Sequence, residues 1–308
     1  MGVIIPDKIT RIGAYAFSFD ESIISIIIPE SVTQIDDKAF YQCTSLKSIT
    51  IPDSVIQIGK NVFSFCHRLS SPIIIPESTE HIHDNDFRCC HRLSSITIPT
   101  SVKTIGSSAF ERCYNLISIE IPDSVTLIGK NAFLWCNTLM SMVIPKSVTI
   151  IGGNAFSHCS SLTSIKIPNN VVTEIGDDAF YECKSLKSIE VPNSVTKIGD
   201  RAFMCCSSLT SVKIPRSVTE VGDNVFSHCS SLTCVKITSS VTEIGDRVFL
   251  GCSSLISVKI PSSVTFIGTD AFRDCKKLKR IICPPGSYAD KYARENRIAQ
   301  YRQRSHLR

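Results

Sequence analysis

Isoleucine and valine alternate with polar residues in short bursts along the whole chain, and most bursts close on a proline, as in Leu162-Thr163-Ser164-Ile165-Lys166-Ile167-Pro168. Alternation over so few residues, rich in β-branched side chains, predicts a short strand with one buried face. Proline has no N–H to give to a ladder, so its place at the strand end lets the chain leave the sheet without breaking an internal pair. A second segment follows, as in Val195-Thr196-Lys197-Ile198-Gly199-Asp200-Arg201-Ala202-Phe203, and turns the chain back. Its glycine recurs at ten of twelve positions, Asp36 and His83 being the exceptions, which predicts a tight bend favouring a residue without Cβ.

The period of this pattern is fixed by a phenylalanine at positions 17, 40, 63, 87, 110, 133, 156, 180, 203, 226, 249 and 272. Successive spacings are 23, except for 24 between Phe63 and Phe87 and between Phe156 and Phe180; the extra residues fall near Pro72 and at Asn169-Asn170-Val171. One unit cannot bury its own Leu, Ile, Val, Ala and Phe, whereas stacked units share one continuous core. One short strand per unit, at ~4.8 Å spacing, gives a parallel sheet roughly 55–60 Å long.

The unit Ser-Val-Thr-x-Ile-Gly-x-x-Ala-Phe-x-x-Cys-x-Ser-Leu-x-Ser-Ile-x-Ile-Pro resembles the BspA-like, treponemal-type class of leucine-rich repeats, over about Val3 to Pro285. The resemblance implies a repeat solenoid, a right-handed arc with a parallel β-sheet on its concave face. It divides the chain into residues 1–285, twelve repeats, and 286–308, a short capping helix with a basic tail. In the latter, Ser287 stands as an N-cap, with Tyr292 and Ile298 available to cover the last repeat. Members are frequently surface proteins of bacteria and protozoan parasites implicated in adhesion to host proteins. The resemblance therefore implies a binding role, either a protein-binding scaffold or a surface adhesin or antigen engaging host matrix proteins.

Charge narrows the partners. The formal net charge is +5, but Tyr288–Arg308 alone carries a net +4, leaving +1 for the rest. A nearly neutral body is not the basic face of a nucleic-acid binder. No stretch approaches the ~18–20 apolar residues of a membrane span. The opening Met1-Gly2-Val3-Ile4-Ile5-Pro6 lacks the basic region and cleavage site of a secretory signal, which favours the cytoplasm over the cell surface. Val3-Ile4-Ile5-Pro6 matches the end of a strand, so an uncovered parallel edge is expected there, and with it a dimer through that edge.

Fifteen cysteines suggest disulfides or metal until they are placed in register. Eleven occupy one column three residues after the phenylalanine, where a thiol behaves as a small inward-facing hydrophobe; stacked parallel Cβ vectors do not suit a disulfide torsion. Reduced thiols in such number also fit a reducing compartment. Phe65-Cys66-His67-Arg68-Leu69 and Cys89-Cys90-His91-Arg92-Leu93, with His81 and His83 between them, hold enough N and S donors for zinc. Cys66 and Cys90 belong to the inward column, however, and no Cys-x-x-Cys pair supports them, so neither metal nor cofactor is expected. His158 and His228 occupy the same place in two units, three repeats apart, and read as solvated turn residues. Phe19, Phe65 and Trp135, two residues after the phenylalanine, read as isolated turn packing.

No nucleophile and base gather in one motif, no glycine loop cradles phosphate, and the serines are consensus residues. The chain is thus expected to be no enzyme and to have no small-molecule substrate, a metal-dependent enzyme being the distant alternative. Specificity falls to the outward strand positions. The residue between the two inward apolar ones is Lys166, Glu190, Lys213, Lys236 and Lys259 toward the C-terminus, supplemented by Lys187, Lys279 and Arg280. Toward the N-terminus it is Thr50, Thr97, Glu120 and Val143, among the apolar Ile24, Ile27, Ile117 and Met140. The basic stripe is the candidate partner-binding surface and suits an acidic protein, although lysine also serves simply to keep an exposed sheet soluble.

Overall fold

A computed structural model of the chain describes residues 1–70, 72–169, 171–298 and 300–302. Of the expected features, Asn170 in the second insertion and the tail residues Arg304 and Arg308 lie outside the described residues. The chain forms two compact units, residues 1–162 and 163–308. Both are built from the same turn, a parallel-strand solenoid of one strand per ~23-residue repeat.

In the first unit Gly2–Ile4, Ser25–Ile27 and Ser48–Thr50 pair in parallel, with Gly2, Ser25 and Ser48 in register, and Ile73–Ile74 pairs with Ile96–Thr97. In the second, six strands run in order Ser188–Glu190, Ser211–Lys213, Cys234–Lys236, Ser257–Lys259, Arg280–Cys283 and Gln300–Arg302. In Ser164–Lys166, Ser188–Glu190, Ser211–Lys213 and Cys234–Lys236 the middle residue is buried and its neighbours face outward, the two-residue period the sequence shows. A two-residue strand per turn adds a second ladder, as in Glu220–Val221, Glu243–Ile244 and Phe266–Ile267. It places the isoleucine before the glycine column inside and its predecessor outside.

Between the ladders the consensus residues bind adjacent turns. The proline carbonyl accepts the N–H of the valine three residues on, closing a β-turn (Pro29 to Val32, 3.0 Å), and the serine before that valine donates to the preceding turn (Ser54 Oγ to Val32 O, 2.9 Å). The phenylalanines form a buried stack, with centroids of Phe87, Phe110 and Phe133 5.5 and 5.3 Å apart and rings nearly parallel. Beside it runs the thiol column. Cysteines along it donate their S–H to the carbonyl of the phenylalanine one turn earlier, Cys66 to Phe40 and Cys90 to Phe63 at 3.2 Å, Cys229 to Phe203 at 3.1 Å. A thiol at this place fills a narrow slot and occupies a carbonyl lone pair, which alanine would leave bare.

The glycine column has a different cause from the expected one. Gly106 and Gly268 are not in the left-handed region; a Cβ on either would lie 2.5 Å from the backbone nitrogen of Asp84 or Asp246 one turn earlier. Close approach between turns, not bend geometry, excludes a side chain. The carboxylate of that neighbour uses the gap to accept the next turn's N–H (Asp200 Oδ1 from Asp223 N, 2.8 Å; Asp223 Oδ1 from Asp246 N, 2.8 Å). Left-handed backbone occurs instead two residues before and two after each phenylalanine, as at Asn131 and Trp135 or Arg201 and Cys205. At the last turn Gly286 (φ +77°) leads into the helix Tyr288–Glu295, whose N-cap Ser287 accepts the Asp290 N–H at 3.3 Å. The buried Asp290 carboxylate also receives the Gly286 N–H and the Arg294 guanidinium, and Tyr292 meets Phe272 edge-on at 6.1 Å, covering the end of the stack. Among the described residues no helix is long and apolar enough to cross a membrane.

Candidate interaction surface

The outward strand residues of the second unit come together unequally. Register pairs Glu190 with Lys213, Lys213 with Lys236, and Lys236 with Lys259, a row about one strand spacing apart per step. Beyond Lys259 the row ends in Ile282. Lys166 stands on Ser164–Lys166, outside this six-stranded sheet. Arg280 pairs with Ser257, two residues away from the row, while Lys187 and Lys279 precede their strands at the far end; all three are exposed. At the row's own end the chain turns, and there Lys213, Lys236 and Lys259 line a cleft of about 510 Å³ with Arg216, Asn193, Thr238 and Ser239, over Ile237 and Pro261. The lining contains no carboxylate. Arg216 and Thr238 are the site residues that reading down one column misses. Thr238 replaces the strand-ending proline, restoring a backbone N–H, and its hydroxyl reaches the Pro215 carbonyl at 3.2 Å.

One exposed thiol lies on the same face. Cys234, flanked in register by Ser211 and Ser257, points outward two residues before Lys236, whereas Cys205 and Cys275 are half-buried and the other twelve cysteines are buried. Burial pushes the Cys43 and Cys159 thiols up to about 12, out of the reactive range. Under native conditions a thiol-specific reagent is thus expected to modify Cys234 in a fast phase well ahead of the rest, and Cys234→Ser to remove that phase. Several fast-reacting thiols in the variant would contradict the burial.

The first unit presents apolar residues outward: Ile27, Met140, Ile117 and Ile24 are 57, 56, 50 and 44% exposed. At its first turn Val3, Ile4, Ile5, Ile9 and Phe17 line an open apolar cleft of about 290 Å³. The aromatic residues are less isolated than their spacing suggests. Tyr41, from a neighbouring column, lies edge-on between Phe19 and Phe65 at 5.4 and 5.5 Å, and Trp135 stacks on His158 at 3.8 Å. His158 is therefore a stacking residue, contrary to the solvated-turn expectation. His228 is exposed, with its ring close over Gly251, where a Cβ would lie 2.6 Å from His228 Nδ1.

Five of the histidines and cysteines singled out for metal, Cys66, Cys90, His67, His91 and His81, have other partners. Cys66 and Cys90 donate to the phenylalanine carbonyls, His67 and His91 stack on each other, and His81 Nδ1 lies 2.8 Å from Thr104 Oγ1. Among the described residues no group of three His, Cys, Asp or Glu side chains could hold a metal ion.

This turn, with its phenylalanine stack, thiol column and proline-ended strand, has known relatives. A family profile described as "BspA type Leucine rich repeat region (6 copies)" matches residues 2–85, 71–173 and 173–293. The chain belongs to the BspA-type leucine-rich repeat family. Among solved BspA-type and related structures it is 34% identical to a leucine-rich cell surface protein of Faecalibacterium prausnitzii, covering 95% of this chain and 89% of that one at a TM-score of 0.60. It is 30% identical to a leucine-rich repeat protein of Bacteroides ovatus (98 and 92% covered, TM-score 0.70) and 28% to one of Eubacterium ventriosum (90 and 77%, TM-score 0.58). No curated protein matches the chain.

Proposed function

We propose that this BspA-type chain is a non-enzymatic scaffold that binds another protein through its outward strand positions, and that the row Lys213–Lys236–Lys259 with Arg216 receives an acidic segment of that partner. The observation that carries the reading is the row itself: three lysines held in register by adjacent strands over a cleft with no carboxylate in its lining. Like charges at this spacing repel and weaken the sheet slightly, a cost that an acidic partner relieves on docking. Most of the gain then lies in association rate and specificity, both falling with salt. Lys213→Glu with Lys236→Glu, both exposed, is expected to weaken binding roughly 10–100-fold at low salt while leaving the unfolding midpoint in place. Unchanged affinity and salt dependence would exclude the row as the contact.

A cell-surface adhesin is the second reading, favoured by the 34% identity to the F. prausnitzii cell surface protein. Surface labelling of intact cells with a membrane-impermeant thiol reagent, read at Cys234, separates the two readings.

A further inference from the structure

The two related motifs Cys66-His67-Arg68-Leu69 and Cys90-His91-Arg92-Leu93 play no part in the lysine cleft. In the first unit they lie on consecutive turns, so residues of one column sit about one strand spacing, ~4.8 Å, apart. His67 and His91 stack face to face at 4.5 Å, and His91 stacks on Tyr114 at 4.8 Å. Arg68 and Arg92 follow directly on the two stacked histidines. Together with Lys47 from the preceding turn and Ser70, they line an open cleft of about 430 Å³. That volume lies in the range of small-ligand pockets. Its lining has three cations, one hydroxyl and no carboxylate.

The contrast with the next basic pair gives the cluster its meaning. Arg88 and Arg112 share the buried Glu111 carboxylate, at 3.2 and 3.7 Å, so the protein supplies their counter-charge. The ion pairs of the described residues include neither Lys47 nor Arg68 nor Arg92. Three cations line one cleft, and among the described residues no carboxylate pairs with them.

We propose that Lys47, Arg68 and Arg92, with the Ser70 hydroxyl, form a binding site for a phosphate monoester. Three cations on one cleft are best matched by a group that places two charges on one tetrahedral centre, which a carboxylate or a sulfate ester, with one charge each, does not. Arginine forks suit two of the phosphate oxygens, and the lysine ammonium a third as a point charge. The site lies in the first unit and its residues are separate from the lysine row. Binding is expected to weaken below about pH 6, where a phosphate monoester loses its second charge. The neighbouring stack reports it: burial holds both histidines below the usual imidazole range, His91 further lowered by His67 and Arg112, and an arriving dianion favours their protonated form.

Phenyl phosphate is the probe, with phenyl sulfate as the singly charged control, at pH 7.5 and matched ionic strength, followed by calorimetry and by the imidazole proton resonances of His67 and His91. The expected result is saturable binding of phenyl phosphate that moves both resonances, roughly tenfold or more weaker binding of phenyl sulfate, and a loss of tenfold or more in Arg68→Gln with Arg92→Gln. The charge-matched pair Lys103→Gln with Lys130→Gln, in the same unit, should keep the affinity. Absence of binding by the wild-type protein, equal affinity for the sulfate, or equal losses in the two double variants each overturns the proposal. The resonance shifts are read on unmodified protein and so do not depend on how the variants fold.

Discussion

Phe110→Ala is expected to destabilise the protein by about 3–5 kcal/mol, seen as a lower midpoint of chemical unfolding. Phe110 is fully buried, and its ring is held between Phe87 and Phe133 at 5.5 and 5.3 Å. Truncation therefore opens a cavity between two neighbours and removes two ring contacts at once. In a stack where each turn touches only adjacent turns, no distant residue can collapse into the gap. Phe272 provides the comparison: it is 6% exposed and has a phenylalanine on one face and the edge of Tyr292 on the other. Phe272→Ala should cost measurably less. Equal costs at the two positions would show that burial alone, without the stack, sets the loss.

Asp86→Ala is expected to raise stability by about 2–3 kcal/mol at pH 8, an unusual direction for a buried substitution. Asp86 occupies the column that holds alanine at 39, 109 and 132. It is 4% exposed; Oδ2 accepts the His83 N–H at 2.7 Å, while Oδ1 has no hydrogen-bond partner among the described residues. Burial, reinforced by Asp84, pushes its carboxyl up to about 7, although backbone donors oppose the shift. A native value above the unfolded one means that the group's contribution is most favourable below about pH 4 and is lost as pH rises through 7. A gap of about three pH units corresponds to ~4 kcal/mol, from which the lost His83 bond subtracts about one. The advantage of the alanine should therefore shrink steadily from pH 8 to pH 5. His83, itself held below the usual range by burial, destabilises both proteins as pH falls through about 6.5, and the difference between the two unfolding curves removes it. A gain independent of pH would mean that the Asp86 carboxyl titrates alike in the folded and the unfolded protein.

The columns that stack like on like were legible in the chain. Phe17 to Phe272, the cysteines from Cys43 to Cys275 and the strand prolines each recur at one register, and position alone fixes their role. What stayed illegible depends on how one column meets another. The glycines announce a constraint, but its source, the backbone one turn earlier, is visible only when turns are stacked. Left-handed backbone escapes the sequence because Lys38, Trp135, Arg201 and Asp274 share it without sharing chemistry; it costs about 1–2 kcal/mol per residue and is imposed by the tertiary frame. Tyr41 joins Phe19 to Phe65 from a different column, and Lys47 reaches Arg68 and Arg92 in the same way, so neither grouping is seen by reading a column alone. The lysine row was legible as a row, whereas the cleft at its end required Arg216 and Thr238 from the turn.

The thiol column has a consequence for reading this protein's history. Its members are mostly buried, and thiols along it, such as Cys136 and Cys252, donate to a phenylalanine carbonyl, so their chemistry is muted whatever surrounds the molecule. Cysteine abundance ordinarily serves as a record of the redox environment in which a sequence evolved. Here that record is erased: the fold would tolerate the column in an oxidising space as readily as in a reducing one. Exposed Cys234 alone remains as a position whose reactivity still depends on where the protein resides.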